Sequence, residues 1–254
     1  MNSAEITIPV ATTEMPAYLS RPSAKSDPRP AVIVLQEIFG VNAEMQRVAD
    51  LLASTGYVAV AINFYHRIDP QFRAPYDEAG AALGYATAAK VTRKSLGEDI
   101  AATVAWLERQ DFVKPGKVAT WGFCFGGAAA FLSATFPRVA GAVCFYGGQI
   151  TRPFPNGEPG TEDLARDIRC PVLLCYGAED AGIPPEAIER MRITLRDAEK
   201  AHHIQVYPEV GHAFFRHGKS QATHAAGTAS DEALAEAVAD SWNLVQTFLR
   251  RIFA

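Results

Sequence analysis

Residues 118–136 read V-A-T-W-G-F-C-F-G-G-A-A-A-F-L-S-A-T-F, a run without one charged side chain. It is long enough to cross a bilayer. Gly122, Gly126 and Gly127 cut it in the middle, however, and Lys117 and Arg138 close in on both sides. The run therefore reads as a buried strand, a tight turn and a buried helix. A Gly-x-Cys-x-Gly turn between a strand and a helix is a nucleophile-elbow pattern, with Cys124 where serine is usual. A nucleophile on so sharp a turn crowds its neighbours, and glycines at 122 and 126 relieve the crowding. The turn lifts the sulfur to the end of the sheet. The positive N-terminal end of the following helix favours a negative charge there. The Phe125 N–H is left to meet an oxyanion. The alternative, from these residues alone, is a glycine-rich turn around an inert buried cysteine.

Outward from this turn, strands alternate with helices. Residues 5–10 and 17–20 predict an opening hairpin. A-V-I-V-L-Q (31–36) and Y-V-A-V-A-I-N-F (57–64) are short apolar runs of the kind buried in parallel sheets. A helix is predicted over 43–55, with Asn42 as its N-cap and Gly56 as its stop. Further helices are predicted over 96–109, 125–135, 184–197 and 232–250, and strands over 117–121, 139–146, 171–176 and 203–207. This order implies one α/β domain spanning 1–254, with a mostly parallel central sheet and helices on both faces. Two stretches rich in Pro, Gly and mixed charge, 66–93 and 147–169, are expected as loops that help cover the site. The polar stretch 218–230 is expected as a surface loop.

Composition narrows the function classes. Lys plus Arg number 24 against 28 Asp plus Glu, and this acidic balance argues against a nucleic-acid groove as the main function. None of the four cysteines forms a C-x-x-C pair, and three lie in apolar, strand-like runs. The pattern predicts a reduced, cytoplasmic chain. The opening M-N-S-A-E-I-T-I-P-V does not read as a signal peptide. No membrane or nucleic-acid partner is expected, and the assembly is expected to be a monomer or small homo-oligomer. His202 and His203 alternate to opposite sides of a strand, and His212 and His217 share no helical face, so no metal site is expected.

Downstream of Cys124, the strand over 171–176 runs into G-A-E-D (177–180), and the strand ending at Tyr207 runs into P-E-V-G-H (208–212). Nucleophile, acid and histidine thus occur in α/β-hydrolase order, each just past a strand's carboxyl end. His212 would accept the Cys124 proton and return one to the leaving group. Asp180 would fix the imidazole tautomer and stabilise its charged form. Glu179 is a competing acid. Glu37-Ile38-Phe39-Gly40 follows the strand over 31–36, where this fold draws its second oxyanion N–H, expected from Ile38. Glu37 is either a carboxylate at the mouth of the site or a solvated loop charge.

The motifs Q-E-I-F-G (36–40), G-F-C-F-G-G (122–127), Y-G-A-E-D (176–180) and G-H-A-F-F-R (211–216) resemble the dienelactone hydrolase (carboxymethylenebutenolidase) family. The resemblance runs from about Ile6 to the C-terminal helix. An elbow cysteine combined with a glutamate after the first central strand separates that family from serine esterases. The resemblance implies a Cys–His–Asp triad at Cys124, His212 and Asp180. It implies that Glu37 interacts with the resting thiol and helps deprotonate it when substrate binds. It also implies that Arg216, four residues after His212, binds a substrate carboxylate. The chain departs from well-studied members where these carry a second carboxylate-binding arginine. It reads F-Y-H-R-I-D-P (64–70) and G-Y-A-T (84–87) there, with Arg67 or Arg73 as candidates. His66 is either a pocket residue or a satisfied loop residue.

The expected function is hydrolysis of a lactone or small ester through an acyl-enzyme. No cofactor is expected, since acyl transfer by a triad needs none and no dinucleotide or P-loop motif lies in the right context. A non-catalytic α/β-hydrolase scaffold that binds a small molecule or a partner is the alternative. It is disfavoured because nucleophile, acid and base are all present. A hydroxyl-based esterase would need a serine that the elbow lacks.

Overall fold

The computed structural model describes residues 1–23, 27–216 and 230–254. His217 and most of the stretch expected as a surface loop lie outside these residues. Eight strands form one sheet in the order β1-β2-β4-β3-β5-β6-β7-β8. The strands β1 (Asn2–Val10) and β2 (Thr13–Arg21) form the expected hairpin, longer at both ends than the apolar runs alone suggest. β2 also runs antiparallel to β4 (Val58–Ile62). The remaining neighbours are all parallel: β4, β3 (Arg29–Leu35), β5 (Val113–Phe123), β6 (Gly141–Phe145), β7 (Val172–Gly177) and β8 (His202–Tyr207).

The chain enters the middle of the sheet at β3, steps one way to β4, then returns past β3 to β5. Loops leaving the carboxyl ends of β3 and β5 diverge at this reversal and open a crevice between them. Glu37 follows β3 and Cys124 follows β5, so the topology sets these two residues on adjacent strand ends.

Helices cover both faces, as two consecutive residues of β5 show. Thr120 is hydrogen-bonded at 2.8 Å to Ser133, at the end of helix α4 (Phe125–Ser133). The next residue, Trp121, stacks on Trp242 of the C-terminal helix (Asp231–Phe253) at 5.8 Å. Successive strand side chains point to opposite faces, so these two helices lie on opposite sides of the sheet. α1 (Ala43–Ser54) begins where predicted, the Asn42 side chain accepting from the Glu44 and Met45 N–H groups. Its chain leaves through Gly56 in the left-handed region, φ 99°.

One expectation needs correction. Residues 66–93 are not loop throughout, because they contain helix α2 (Glu78–Ala88), capped by Asp77 onto the Gly80 N–H. The helix E-A-G-A-A-L-G-Y-A-T-A is made of small residues and carries little amphipathic contrast, so periodicity does not reveal it. Its glycines have a packing reason. A Cβ at Gly80 would lie 2.0 Å from the Pro75 carbonyl oxygen, and one at Gly84 would lie 2.7 Å from that of Ile38. The helix rests directly on backbone. The other helices are α3 (Arg93–Leu107), opened by a Thr92–Ser95 capping box, α5 (Pro185–Asp197) and α6, the C-terminal helix already described. The 147–169 stretch contains two 3₁₀ turns, Gly148–Ile150 and Thr161–Asp167. Among the described residues, no helix is long and apolar enough to cross a membrane.

Candidate active site

Cys124 sits between β5 and α4 with φ 52° and ψ −112°, a strained left-handed turn. The flanking glycines are obligatory. A Cβ at Gly122 would lie 1.8 Å from the Gly126 carbonyl oxygen, and one at Gly126 would lie 2.2 Å from that of Leu35. The second contact seats the start of α4 against the end of β3, bringing the Glu37 loop beside the elbow. The Cys124 backbone is fixed by its N–H donating to the Phe145 carbonyl at 3.0 Å. Its side chain is partly exposed, whereas Cys144, Cys170 and Cys175 are buried, with their thiols pushed up by burial.

The acid and base loops are joined to one another. Ala178 N–H donates to the Tyr207 carbonyl at 2.8 Å, and Glu179 N–H to that of Val210 at 3.0 Å. Gly177 permits this docking, since a Cβ there would lie 2.3 Å from the Val210 oxygen. Asp180 is 4% exposed and its Oδ2 accepts from His212 Nδ1 at 2.6 Å. Its Oδ1 accepts the Gly182 N–H. Glu179 is exposed, and its backbone N–H is the group that ties it to the His212 loop. With Nδ1 committed to Asp180, His212 Nε2 is left for the sulfur. Burial alone would lower the His212 pKa. The charges of Cys124 and Asp180 and the hydrogen bond to Asp180 outweigh it and raise it to about 10. The Tyr146 ring packs 5.0 Å from the imidazole and limits its movement.

Ile38 lies in the loop after β3, and Phe125 opens α4 directly after the elbow. Phe125, as the helix's first residue, has no helical carbonyl behind its N–H. The Ile38 peptide is held from two sides: its carbonyl accepts from the buried Tyr65 hydroxyl at 3.1 Å, and Gly84 packs on it.

Glu37 is arranged differently from expectation. Its carboxylate accepts from Arg216 Nη2 at 3.1 Å on both oxygens and from the Tyr76 hydroxyl at 2.9 Å. The resting partner of Glu37 is thus Arg216 rather than the thiol. Glu37 and Arg216 side chains are 2% and 6% exposed. The guanidinium also lies 3.8 Å from the centre of the Tyr76 ring. Burial opposes the Arg216 charge, and Glu37 beside it more than offsets this and holds its pKa above the usual range. Sequence reasoning missed Tyr76, which lies in the short segment before α2 and carries no motif.

The two arginines considered as a second anion contact are committed elsewhere. Arg67 bonds Asp99 at 2.7 Å and also reaches Glu98. Arg73 pairs with Glu5 at 2.7 Å and donates to the Val41 carbonyl. His66 is buried, with its Nε2 3.1 Å from Asp99 Oδ1 and, among the described residues, no hydrogen-bond partner for its Nδ1. Among the described residues, no group of three or more His, Cys, Asp or Glu side chains is placed to hold a metal ion.

Comparisons with known proteins show the family. The model of the "Dienelactone hydrolase family" matches residues 15–253. The chain belongs to the dienelactone hydrolase family. A Synechocystis sp. protein named "Putative carboxymethylenebutenolidase" is 33% identical over 245 residues, covering 95% of this chain and 93% of its own. A Yersinia pestis protein of the same name is 39% identical over 215 residues, covering 83% and 78%. The crystal structure of a Klebsiella pneumoniae protein titled "Putative Dienelactone Hydrolase" superposes with a TM-score of 0.84 at 31% identity, covering 98% of each chain. The fold is therefore of the α/β-hydrolase type, and the protein is a hydrolase.

Proposed function

We propose that this hydrolase cleaves a lactone or small carboxylic ester by nucleophilic attack of Cys124 on the carbonyl carbon. The supporting observation is the set at the strand ends: Asp180 Oδ2 2.6 Å from His212 Nδ1, with the charge of the elbow cysteine raising the His212 pKa. His212 Nε2 holds the thiol proton as imidazolium, which Asp180 stabilises. The sulfur attacks, and the carbonyl oxygen takes up negative charge within reach of the Ile38 and Phe125 N–H groups. Collapse breaks the ester bond, the imidazolium proton goes to the departing oxygen, and a thioester remains on Cys124. His212 then takes a proton from water, hydroxide attacks the thioester, and Cys124 leaves as thiolate. Glu37 serves this scheme by holding Arg216 in the pocket wall. The relatives' name denotes a butenolide lactone with a carboxymethylene substituent, and a compound of that class is the natural first substrate to try.

The test is ultraviolet-followed hydrolysis of a dienelactone carboxylate and of a neutral aryl acetate, by the wild type and by Cys124→Ala. Turnover of either compound that drops at least about 10³-fold in the variant supports the cysteine mechanism. Undiminished turnover by Cys124→Ala overturns it. Turnover of the aryl ester alone keeps the mechanism and rejects the dienelactone as substrate.

A further inference from the structure

We propose that Tyr65 is a positioning residue for the acyl-transfer steps: its hydroxyl holds the Ile38 carbonyl and thereby aims the Ile38 N–H at the oxyanion. The role rests on the hydrolase reading above and adds to it a buried phenol that acts by holding a peptide and transfers no proton.

An N–H stabilises a developing charge well only when its peptide cannot turn away. Ile38 is 4% exposed, and among the described residues its N–H has no hydrogen-bond partner. A donor left free in so buried a loop is costly unless something uses it. The chain around it is pinned at successive residues. Before it, the Glu37 carboxylate is held by Arg216 and Tyr76. After it, the Phe39 carbonyl accepts the Ala74 N–H at 3.1 Å. At Ile38 itself the carbonyl accepts from the Tyr65 hydroxyl at 3.1 Å, and a Cβ at Gly84 would lie 2.7 Å from the same oxygen. Tyr65 supplies the directed bond, and α2 supplies the steric stop.

The phenol is itself firmly mounted. Tyr65 is fully buried, and its ring meets that of Phe72 edge-on at 4.9 Å. Its N–H donates to Asn63 Oδ1 at 2.8 Å, and its carbonyl accepts the Ile68 and Asp69 N–H groups at 2.8 Å each. Burial, and after it the charge of Cys124, push the Tyr65 pKa above its ordinary value. The hydroxyl therefore keeps its proton and stays a donor at neutral pH. A phenylalanine would fill the same space, so the hydroxyl is the informative group.

Tyr65→Phe removes that group alone. On a neutral aryl acetate it should lower kcat about tenfold with KM within about twofold, the size expected when one oxyanion donor is loosened rather than lost. A trifluoromethyl ketone gives a second readout. The Cys124 thiolate adds to its carbonyl carbon and the oxygen takes the charge, so inhibition should weaken about tenfold. Alkylation of Cys124 by iodoacetamide displaces iodide and forms no oxyanion, so its rate should stay within about twofold. A merely structural role would not split these readouts. Gly84→Ala reaches the same carbonyl from α2, in a substitution that favours helix. It too should lower kcat and weaken the ketone several-fold while leaving alkylation unchanged, and it decides alone should Tyr65→Phe fail to fold. Turnover and ketone inhibition within about twofold of wild type overturn the proposal and leave the cysteine mechanism intact. Alkylation slowed in step with turnover in Tyr65→Phe also overturns it, by moving the phenol's action to the sulfur. Undiminished ester turnover by Cys124→Ala removes the cysteine mechanism first, and the role of Tyr65 with it.

Discussion

Two buried carboxylates follow strands of the same sheet, Glu37 after β3 and Asp180 after β7, and each holds one basic side chain. Asp180 holds His212 at 2.6 Å, with the imidazole 23% exposed. Glu37 holds Arg216 at 3.1 Å, with both side chains almost fully buried and Tyr76 closing the third side. The basic group decides what each pair can do. Imidazole gains and loses a proton at accessible pH, so the first pair can pass protons to and from the sulfur. Guanidinium stays charged, so the second pair is a fixed element of the wall.

The largest expected effect separates the pairs by chemistry. Asp180→Asn should lower kcat/KM on a neutral aryl ester by on the order of 10³–10⁴, with the fold retained by circular dichroism. Glu179→Gln, one residue away but exposed, should stay within about twofold. Equal losses in the two variants would break the assignment of Asp180.

The next effect is on stability. Glu37→Leu strands the Arg216 charge in the interior and should cost about 3–5 kcal/mol in urea unfolding. Glu37→Leu combined with Arg216→Met removes both charges and should recover most of that loss. A single variant as stable as the wild type would show that the buried pair does not behave as a coupled unit.

The smallest effect is a pH dependence carried by His212. Its pKa lies at about 10 in the folded protein, above the roughly 6.5 of an unfolded chain. The folded state therefore binds the extra proton. The stabilisation is fully present below about pH 6.5 and is lost as pH rises through about 10. The stability gap between wild type and His212→Gln should thus narrow as pH rises across that window. A gap that widens with pH would reverse the sign of the coupling.

The contrast between the pairs also explains what the sequence could reveal. Cys124 follows β5 directly, Asp180 and His212 lie in the short loops after β7 and β8, and the glycines at 122, 126 and 177 are demanded by backbone contacts of about 2 Å. Local constraints of that severity leave motifs. The choice of Asp180 over Glu179 needed only the direction of two adjacent side chains. The Glu37–Arg216 bond joins residues 179 positions apart, and no local pattern encodes which partner a buried carboxylate selects. The parallel core was legible from its apolar runs, whereas α2 was hidden by the small residues that let it lie on Pro75 and Ile38.

Trp121 stacks on Trp242 with ring planes only 13° apart. Trp121 stands three residues before the reactive sulfur, and Trp242 belongs to α6. Two indoles held this way share their excited states, so the pair should leave an exciton signature in circular dichroism. The third tryptophan, Trp106, sits on α3 away from them. Docking of the last helix against the strand that carries the elbow therefore has its own optical label. Refolding could be followed at that seam without attaching a dye.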